Sequence, residues 1–479
     1  MNTRLLASAV LSAAVVLSTA AAARADLSPA ATVTLSVGGP TGTSLPADVV
    51  GFSFEANVLT GTAPSAGNLA QYMKTLGPGV MRFGGNFVDT TFWTSTGEPQ
   101  PSWAVATLTP ADLTRLNTLA TNSGWKVVLG VTLKHPDAKR AADEAAHAKA
   151  ALGDSLLAIE VGNEPNYYPN YSTAKYFADF ESYRKAINAA APGVGLVGPS
   201  PGRIPAADVY LKDFAADEQK STVDIAALTG HYYPLCAKSN NPPPTIANLL
   251  STTSRTGEKT RADLVSSLAK GLGVPGFLGE GNSVSCEGKD GVSDVFAAAL
   301  WGVDAQLLYA QEGLSGFWMH SSIARCGAPK PLYKAYTPFC AATDADAAAG
   351  VLHVRPVYYS SLLVHSLGTG DFAQVSDSDL ATVRAYALRS GTTLKLVLVN
   401  VSTSSRPTTV HLGQSFGSAS MVRLTAPSLT SQSGITFGGH FVGRNGTFSG
   451  TAAQDVPLNG KDLTMTLPSA SATVVTVVP

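Results

Sequence analysis

A (β/α)8 barrel followed by an antiparallel β-sandwich that also takes an N-terminal strand is the α/β fold the sequence predicts. Three observations lead there. Eight short apolar runs within residues 45–369 alternate with segments of helical periodicity, as parallel strands buried on both faces do. After about residue 370 the texture changes to short β-rich runs between Ser, Gly, Thr and Pro clusters, the pattern of an antiparallel sandwich. The 479 residues leave room for a domain of barrel size and a smaller companion.

In chain order, the first element reads as a secretory leader over 1–25. Arg4 supplies the positive charge, an apolar stretch follows, and Ala23-Arg24-Ala25 fits an A-x-A cleavage site. Small residues at the end of the run favour cleavage over an uncleaved anchor. No other segment approaches the ~20 apolar residues a bilayer requires. The mature protein is therefore expected to be secreted or periplasmic. Within 26–44, the alternation of residues 31–37 predicts a half-buried strand that joins the sandwich.

The eight barrel strands are expected at 49–57, 79–86, 125–133, 156–164, 195–200, 224–233, 276–280 and 316–321. Between them, Ser172 caps a helix carrying Phe177, Phe180 and Ile187, with Pro192 as its stop. Ser293 is placed to cap another helix running to Gly313, and Pro356 to open a last one reaching Gly368. The sandwich, residues 370–479, has strand candidates at 394–399, 408–412, 421–424, 435–442 and 463–467.

Charged residues make up 14% of the chain and apolar ones 45%, so it reads as globular. A net charge of -1 gives no reason to expect nucleic acid as a partner. Gly-x-Gly-x-x-Gly at a strand–helix junction, a Walker loop and His-Glu-x-x-His are all absent from the sequence. Cys236, Cys286, Cys326 and Cys340 permit disulfides in an exported protein. Of the three pairings, Cys236–Cys286 and Cys326–Cys340 are expected, because each Cys follows a predicted strand end on one face. Metal binding is a weak alternative, with no Cys-x-x-Cys spacing and no nearby His pair.

Two runs carry chemistry. Ile159-Glu160-Val161-Gly162-Asn163-Glu164-Pro165-Asn166 and Gly276-Phe277-Leu278-Gly279-Glu280-Gly281-Asn282 are strand-like and end on a carboxylate where turn residues begin. A charge is costly inside a strand core, but the C-terminal lip of a parallel barrel faces an open cleft. Two Glu there suit the paired-carboxylate hydrolysis of glycosidic bonds, in which a retaining enzyme holds its carboxyls roughly 5–5.5 Å apart. Acid, base and nucleophile are then all side chains, so no cofactor or metal is expected.

Asn163-Glu164-Pro165 at the fourth strand and Glu280 at the seventh resemble the clan of retaining (β/α)8 glycoside hydrolases. More specifically the chain resembles the heparanase and β-glucuronidase family, glycoside hydrolase family 79. The resemblance is carried by Gly51-Phe52-Ser53-Phe54-Glu55, Met81-Arg82-Phe83-Gly84-Gly85-Asn86 and His231-Tyr232-Tyr233-Pro234. Gly279-Glu280-Gly281-Asn282-Ser283-Val284-Ser285-Cys286, Gly291-Val292-Ser293-Asp294-Val295-Phe296 and Val354-Arg355-Pro356-Val357-Tyr358-Tyr359 continue it.

That resemblance implies Glu164 as acid/base and Glu280 as nucleophile. Asn163 would bond the 2-hydroxyl of the sugar, Glu55 would hold distal hydroxyls, and Tyr233 would lie against the nucleophile. His231 is expected as a buried, hydrogen-bonded histidine. A glucuronate carboxylate would be met by a tyrosine of the loop after the eighth strand, Tyr336 first and Tyr333 second, with a backbone amide at Gly288. Lys330 and Lys334 read as solvated surface lysines. The chain departs from some relatives after the nucleophile: Ser285-Cys286-Glu287-Gly288-Lys289 lacks their tyrosine. The implied activity is retaining hydrolysis of β-linked glucuronic acid, exo or heparanase-like endo, by a monomer acting on a glucuronate-containing glycoside or oligosaccharide. A clan relative acting on glucose or xylose, and an inactive glycan-binding protein, are the alternatives.

Overall fold

The computed structural model describes residues 32–202, 206–221, 223–377 and 379–479. The leader expected over 1–25 lies outside the described residues. Among the described residues, no helix is long and apolar enough to cross a membrane.

Eight parallel strands close into a barrel: Val50–Glu55, Val80–Gly84, Lys126–Val131, Leu156–Val161, Leu196–Pro199, Ala227–Tyr232, Gly276–Gly281 and Gly316–His320. Each overlaps its expected run and is followed by a helix, from Leu69–Thr75 after the first to Tyr358–Ser366 after the eighth. The barrel floor is apolar. Val80, Val128, Ala158, Val197 and Ala227 surround Trp318, which fills the interior. Gly51 makes room for it, since a Cβ there would stand 2.0 Å from the indole Cδ1. Above this floor the lining turns polar, and the site lies there.

Helix ends show where local signals rule and where packing overrides them. Ser172 caps Thr173–Ala190 as expected, accepting from Lys175 N. Ser293 does not cap the helix Phe296–Gln311. The amides of Phe296 and Ala297 donate instead to the carbonyls of Ser431 and Leu429 (2.8 and 2.9 Å), from a loop of the second domain. With those orphan donors satisfied, the Ser293 hydroxyl accepts from Ser283 Oγ and Lys289 N. The last helix starts at Tyr358, just past Pro356.

The second domain is one 11-stranded sheet, antiparallel except where Val33–Leu45 runs parallel to Arg406–His411. The N-terminal strand therefore joins this sheet, between Arg406–His411 and Gly370–Asp377. The sheet curls on itself around Leu35, Leu396, Leu398, Val410, Leu463, Val475 and Val477, a core separate from the barrel's. Its other face, with Tyr386, Val397, Val399 and Val474, packs into the barrel's helical shell. That contact encloses Phe296–Gln311, which is buried on every side and mostly apolar, as an enclosed helix is. Five strands of this sheet were not foreseen: Gly370–Asp377, Val383–Ser390, Ser471–Val478 and the two-residue Gln454–Asp455 and Leu458–Asn459. In the expected run 435–442 only Thr436–Phe437 forms a strand.

Candidate active site

Glu164 stands just past the fourth strand, where the chain turns into a 3-10 helix, Pro165–Tyr167. Its φ is +46°, left-handed and unfavourable for a residue with a Cβ. Two contacts hold it there. Its amide donates to the Ser200 carbonyl (3.0 Å), and its Oε1 meets His231 Nδ1 (3.0 Å). Glu280 lies on the seventh strand at a register irregularity that both neighbouring strands share. Such a break in pairing re-aims a side chain.

One oxygen of Glu164, one of Glu280 and a His231 nitrogen lie within 4.8 Å of one another. Both carboxylates line one cavity of about 420 Å³ at the strands' C-terminal end, with Asn86, Tyr167, Gly202, Tyr233, His320, Lys334 and Tyr336. The spacing of this triad could accommodate a cation. The other cluster of ligand type, Cys326, Cys340 and His353, has both sulfurs committed to a disulfide.

Beneath the cavity sits Arg82, fully buried in the second strand. It donates to Glu160 Oε2 (2.7 Å), Glu280 Oε2 (2.9 Å), Ser53 Oγ (2.9 Å) and Asn163 Oδ1 (2.7 Å). One guanidinium thus orients the two residues expected around the sugar and pairs with two buried carboxylates. Glu160 is further satisfied by the Ser200 hydroxyl (2.7 Å). Tyr233 donates to the second oxygen of Glu280 (2.9 Å), and His320 Nδ1 is 3.6 Å from its Oε2. Burial alone would raise the Glu280 pKa. His320, His231, Arg82 and the Tyr233 hydroxyl outweigh it, and the carboxyl is held well below its ordinary value. The same burial, with Glu280 and Tyr336 nearby, drives the Tyr233 phenol well above its usual range, so it stays a donor.

Glu55 ends the first strand but is not on the cavity wall. It lies behind His320 and Lys334, accepting from His320 Nε2 (3.2 Å), Lys334 Nζ (3.0 Å) and Phe87 N (2.9 Å). Burial opposes its charge, yet Lys334 and His320 bring its pKa to about 2. Lys334 is only 4% exposed and lines the cavity, so the solvated reading of this residue is corrected. Lys330 instead donates to the Gly288 carbonyl (3.2 Å).

Tyr336 is on the cavity wall; Tyr333 is not. The Tyr333 hydroxyl is taken by Arg355 (3.2 Å), which also pairs with Asp294. Gly288 buttresses Tyr336 from behind: a Cβ at 288, where φ is +81°, would come within 2.9 Å of Tyr336 N. Asn163 is buried and bonded to Arg82 and to Asn86 Oδ1 (3.4 Å).

Of the two expected disulfides, Cys326–Cys340 is formed. The Cys236–Cys286 pairing is corrected, because the sulfurs are 3.7 Å apart, a contact between thiols. The short parallel pairing of Leu235–Cys236 with Val284–Ser285 puts Ser285 opposite Cys236. Cys286 comes one residue later, in a turn with φ +59°.

Sequence reasoning missed Lys334 and His320 as parts of the site and treated Arg82 only as a letter in a run. A charge inside Val80–Gly84 was the available signal, since an arginine in a strand buried throughout requires a buried anion.

The barrel-plus-sheet architecture is shared with solved glycoside hydrolases. No family profile matches the chain, and no curated protein sequence does. Among solved structures, a 4-O-α-L-rhamnosyl-β-D-glucuronidase from Fusarium oxysporum 12S superposes with a TM-score of 0.74 at 19% identity, covering 92% of this chain and 100% of that one. The GH51 arabinofuranosidase of Xanthomonas axonopodis pv. citri gives 0.69 at 13% identity, over 93% and 99%. A GH30 endoxylanase from Clostridium papyrosolvens C71 gives 0.54 at 12%, over 94% and 100%. At such identities the likeness is one of fold.

Proposed function

We propose that this chain is a retaining glycoside hydrolase cleaving β-linked glucuronic acid from a glycoside or oligosaccharide. The observation that carries the reading is the approach of Glu164 and Glu280 to within 4.8 Å across one cavity, close to the separation that direct carboxylate attack requires. Glu280, ionised and held by Arg82 and Tyr233, attacks the anomeric carbon. Glu164 gives its proton to the glycosidic oxygen as that bond breaks. In the second half, Glu164 takes a proton from water, the water oxygen attacks the same carbon, and the Glu280 ester bond breaks. In this reading Asn163, buried just behind the cavity wall and held by Arg82, would bond the 2-hydroxyl.

Glucuronate as the sugar rests on the family 79 resemblance, on Tyr336 at the cavity wall and on the glucuronidase fold neighbour. Export to the cell exterior or periplasm is supported by the N-terminal apolar run and by the Cys326–Cys340 bridge, which suits an oxidising compartment. One observation favours a neutral sugar: the ammonium of Lys334 is already paired with Glu55.

The test is hydrolysis of 4-nitrophenyl β-glucuronide followed by NMR. The β-anomer should form first, and a 2-deoxy-2-fluoro-glucuronide should leave a stoichiometric adduct on the peptide containing Glu280. E280Q should lose at least about 10³-fold in kcat. First appearance of the α-anomer would overturn retention. Turnover of xylosides or glucosides alone would overturn the glucuronate assignment and leave the hydrolase standing.

A further inference from the structure

The cavity is asymmetric around the barrel. Lys334, Tyr336 and His320 come from the eighth strand and its loop, while Glu164, Tyr167 and Gly202 come from the loops after the fourth and fifth. In the proposed reaction the acid protonates the departing oxygen, so the leaving group occupies the Glu164 side.

On that side stands Tyr167, which is 57% exposed although it lines the cavity. It is three residues from the acid on the rigid turn Pro165–Tyr167. The turn is fixed at both flanks: Asn166 Oδ1 accepts from Gly202 N (2.8 Å), and the Tyr168 hydroxyl donates to Asp89 Oδ1 (2.5 Å). A Cβ at 202 would lie 2.5 Å from Tyr167 Cε2 and 2.7 Å from the Glu164 carboxyl carbon. The absence of a side chain at Gly202 therefore lets the ring edge and the acid carboxyl pack against the same patch of backbone. An aromatic ring held this way offers stacking area to an incoming flat group with little conformational entropy left to lose.

Resting on the glycosidase reading above, we infer that Tyr167 is the stacking platform of the leaving-group site. The leaving group selected is a ring, either a pyranose presenting its C–H face or an aryl group. Tyr167 is then a specificity residue: it binds what departs and leaves the bond-making groups untouched.

The readout is the ratio of kcat/KM on a ring-bearing substrate to kcat/KM on β-glucuronyl fluoride, whose leaving group is one atom. Two ring-bearing substrates are used, 4-nitrophenyl β-glucuronide and a glucuronyl disaccharide. Y167A should lower the ratio about threefold to tenfold, the loss of one stacking contact, mainly through KM. Y167F and Y167W should restore it. A fall on the disaccharide alone assigns a pyranose, and a fall on the aryl glycoside alone assigns an aryl group. An unchanged ratio on both substrates, or an equal loss on the fluoride, overturns the assignment. If the wild type cleaves only xylosides or glucosides, the glucuronate reading fails, and the same ratio is taken on those aryl glycosides and fluorides. A wild type that turns over no glycoside overturns both.

Discussion

Replacing Lys334 with methionine isolates the buried pair behind the sugar site. Lys334 Nζ is 3.0 Å from Glu55 Oε1, with both side chains under one-tenth exposed. The Glu55 carboxyl, ordinarily near 4.5, is brought to about 2. Burial opposes that shift most strongly, and Lys334 is the largest influence favouring it. A depression of this size corresponds to about 3 kcal/mol of folding stability. The sign follows from the depressed value: the contribution is complete above the unfolded pKa near 4.5 and is lost as the pH falls toward 2. K334M removes the pair and leaves the carboxylate buried with His320 and the Phe87 amide, so the variant should lose about 3 kcal/mol at pH 7, the usual scale for half of a buried pair. The loss should lower Tm by about 3–5 °C in a chain of this size. Below the unfolded pKa near 4.5 the gap should narrow, because the unfolded carboxyl protonates first, and it should close only as the pH approaches 2. E55Q/K334M should be less damaged than the two single losses summed, because neither charge is stranded. Calorimetric scans of the three variants from pH 3.5 to 7.5 make the measurement. A Tm gap that stays constant over that range would refute the buried-pair account.

Two further perturbations bear on stability. Asp89 is pushed up to about 7, by burial first and against the Tyr168 hydrogen bond and Lys134; its folded pKa is raised, so its contribution is present below about 4 and lost as the pH rises through 7. D89N, which keeps an acceptor for Tyr168, should therefore gain on the wild type in Tm from pH 5 to 8, and a gap that does not widen would sink this. The Cys326–Cys340 bridge closes a 14-residue separation, so C326S/C340S should cost about 3 kcal/mol; thiol titration of the unreduced, denatured wild type should count Cys236 and Cys286 alone, and four reactive thiols there would contradict the pairing.

The barrel was legible because its signal is local. Each strand is an apolar run and each helix a periodic one, so 126–131 or 156–161 is recognisable without knowing its neighbours. Glu164 and Glu280 were legible for the same reason, as charges where apolar runs stop. Ser293 misled because a cap signal presumes an otherwise unsatisfied helix end, and the Ser431 and Leu429 carbonyls arrive from more than a hundred residues away. Cys236 and Cys286 misled because proximity was readable but register was not: one residue of offset separates a contact from a bond. Lys334 was unreadable in principle, because a loop lysine with a buried partner and one in water look alike until Glu55 is brought to it.

The order of the barrel's strands and helices, a β-rich second domain that claims the N-terminal strand, and the two carboxylates where barrel strands end follow from the chain alone. Periodicity and turn chemistry act over a few residues, and parallel strands must share one C-terminal mouth. Folding alone decided the electrostatics at that mouth. Arg82 between Glu160 and Glu280, His320 between Glu55 and Glu280, and Lys334 against Glu55 join residues up to 279 positions apart. Desolvation and charge pairing depend on distance in space, which sequence spacing does not encode.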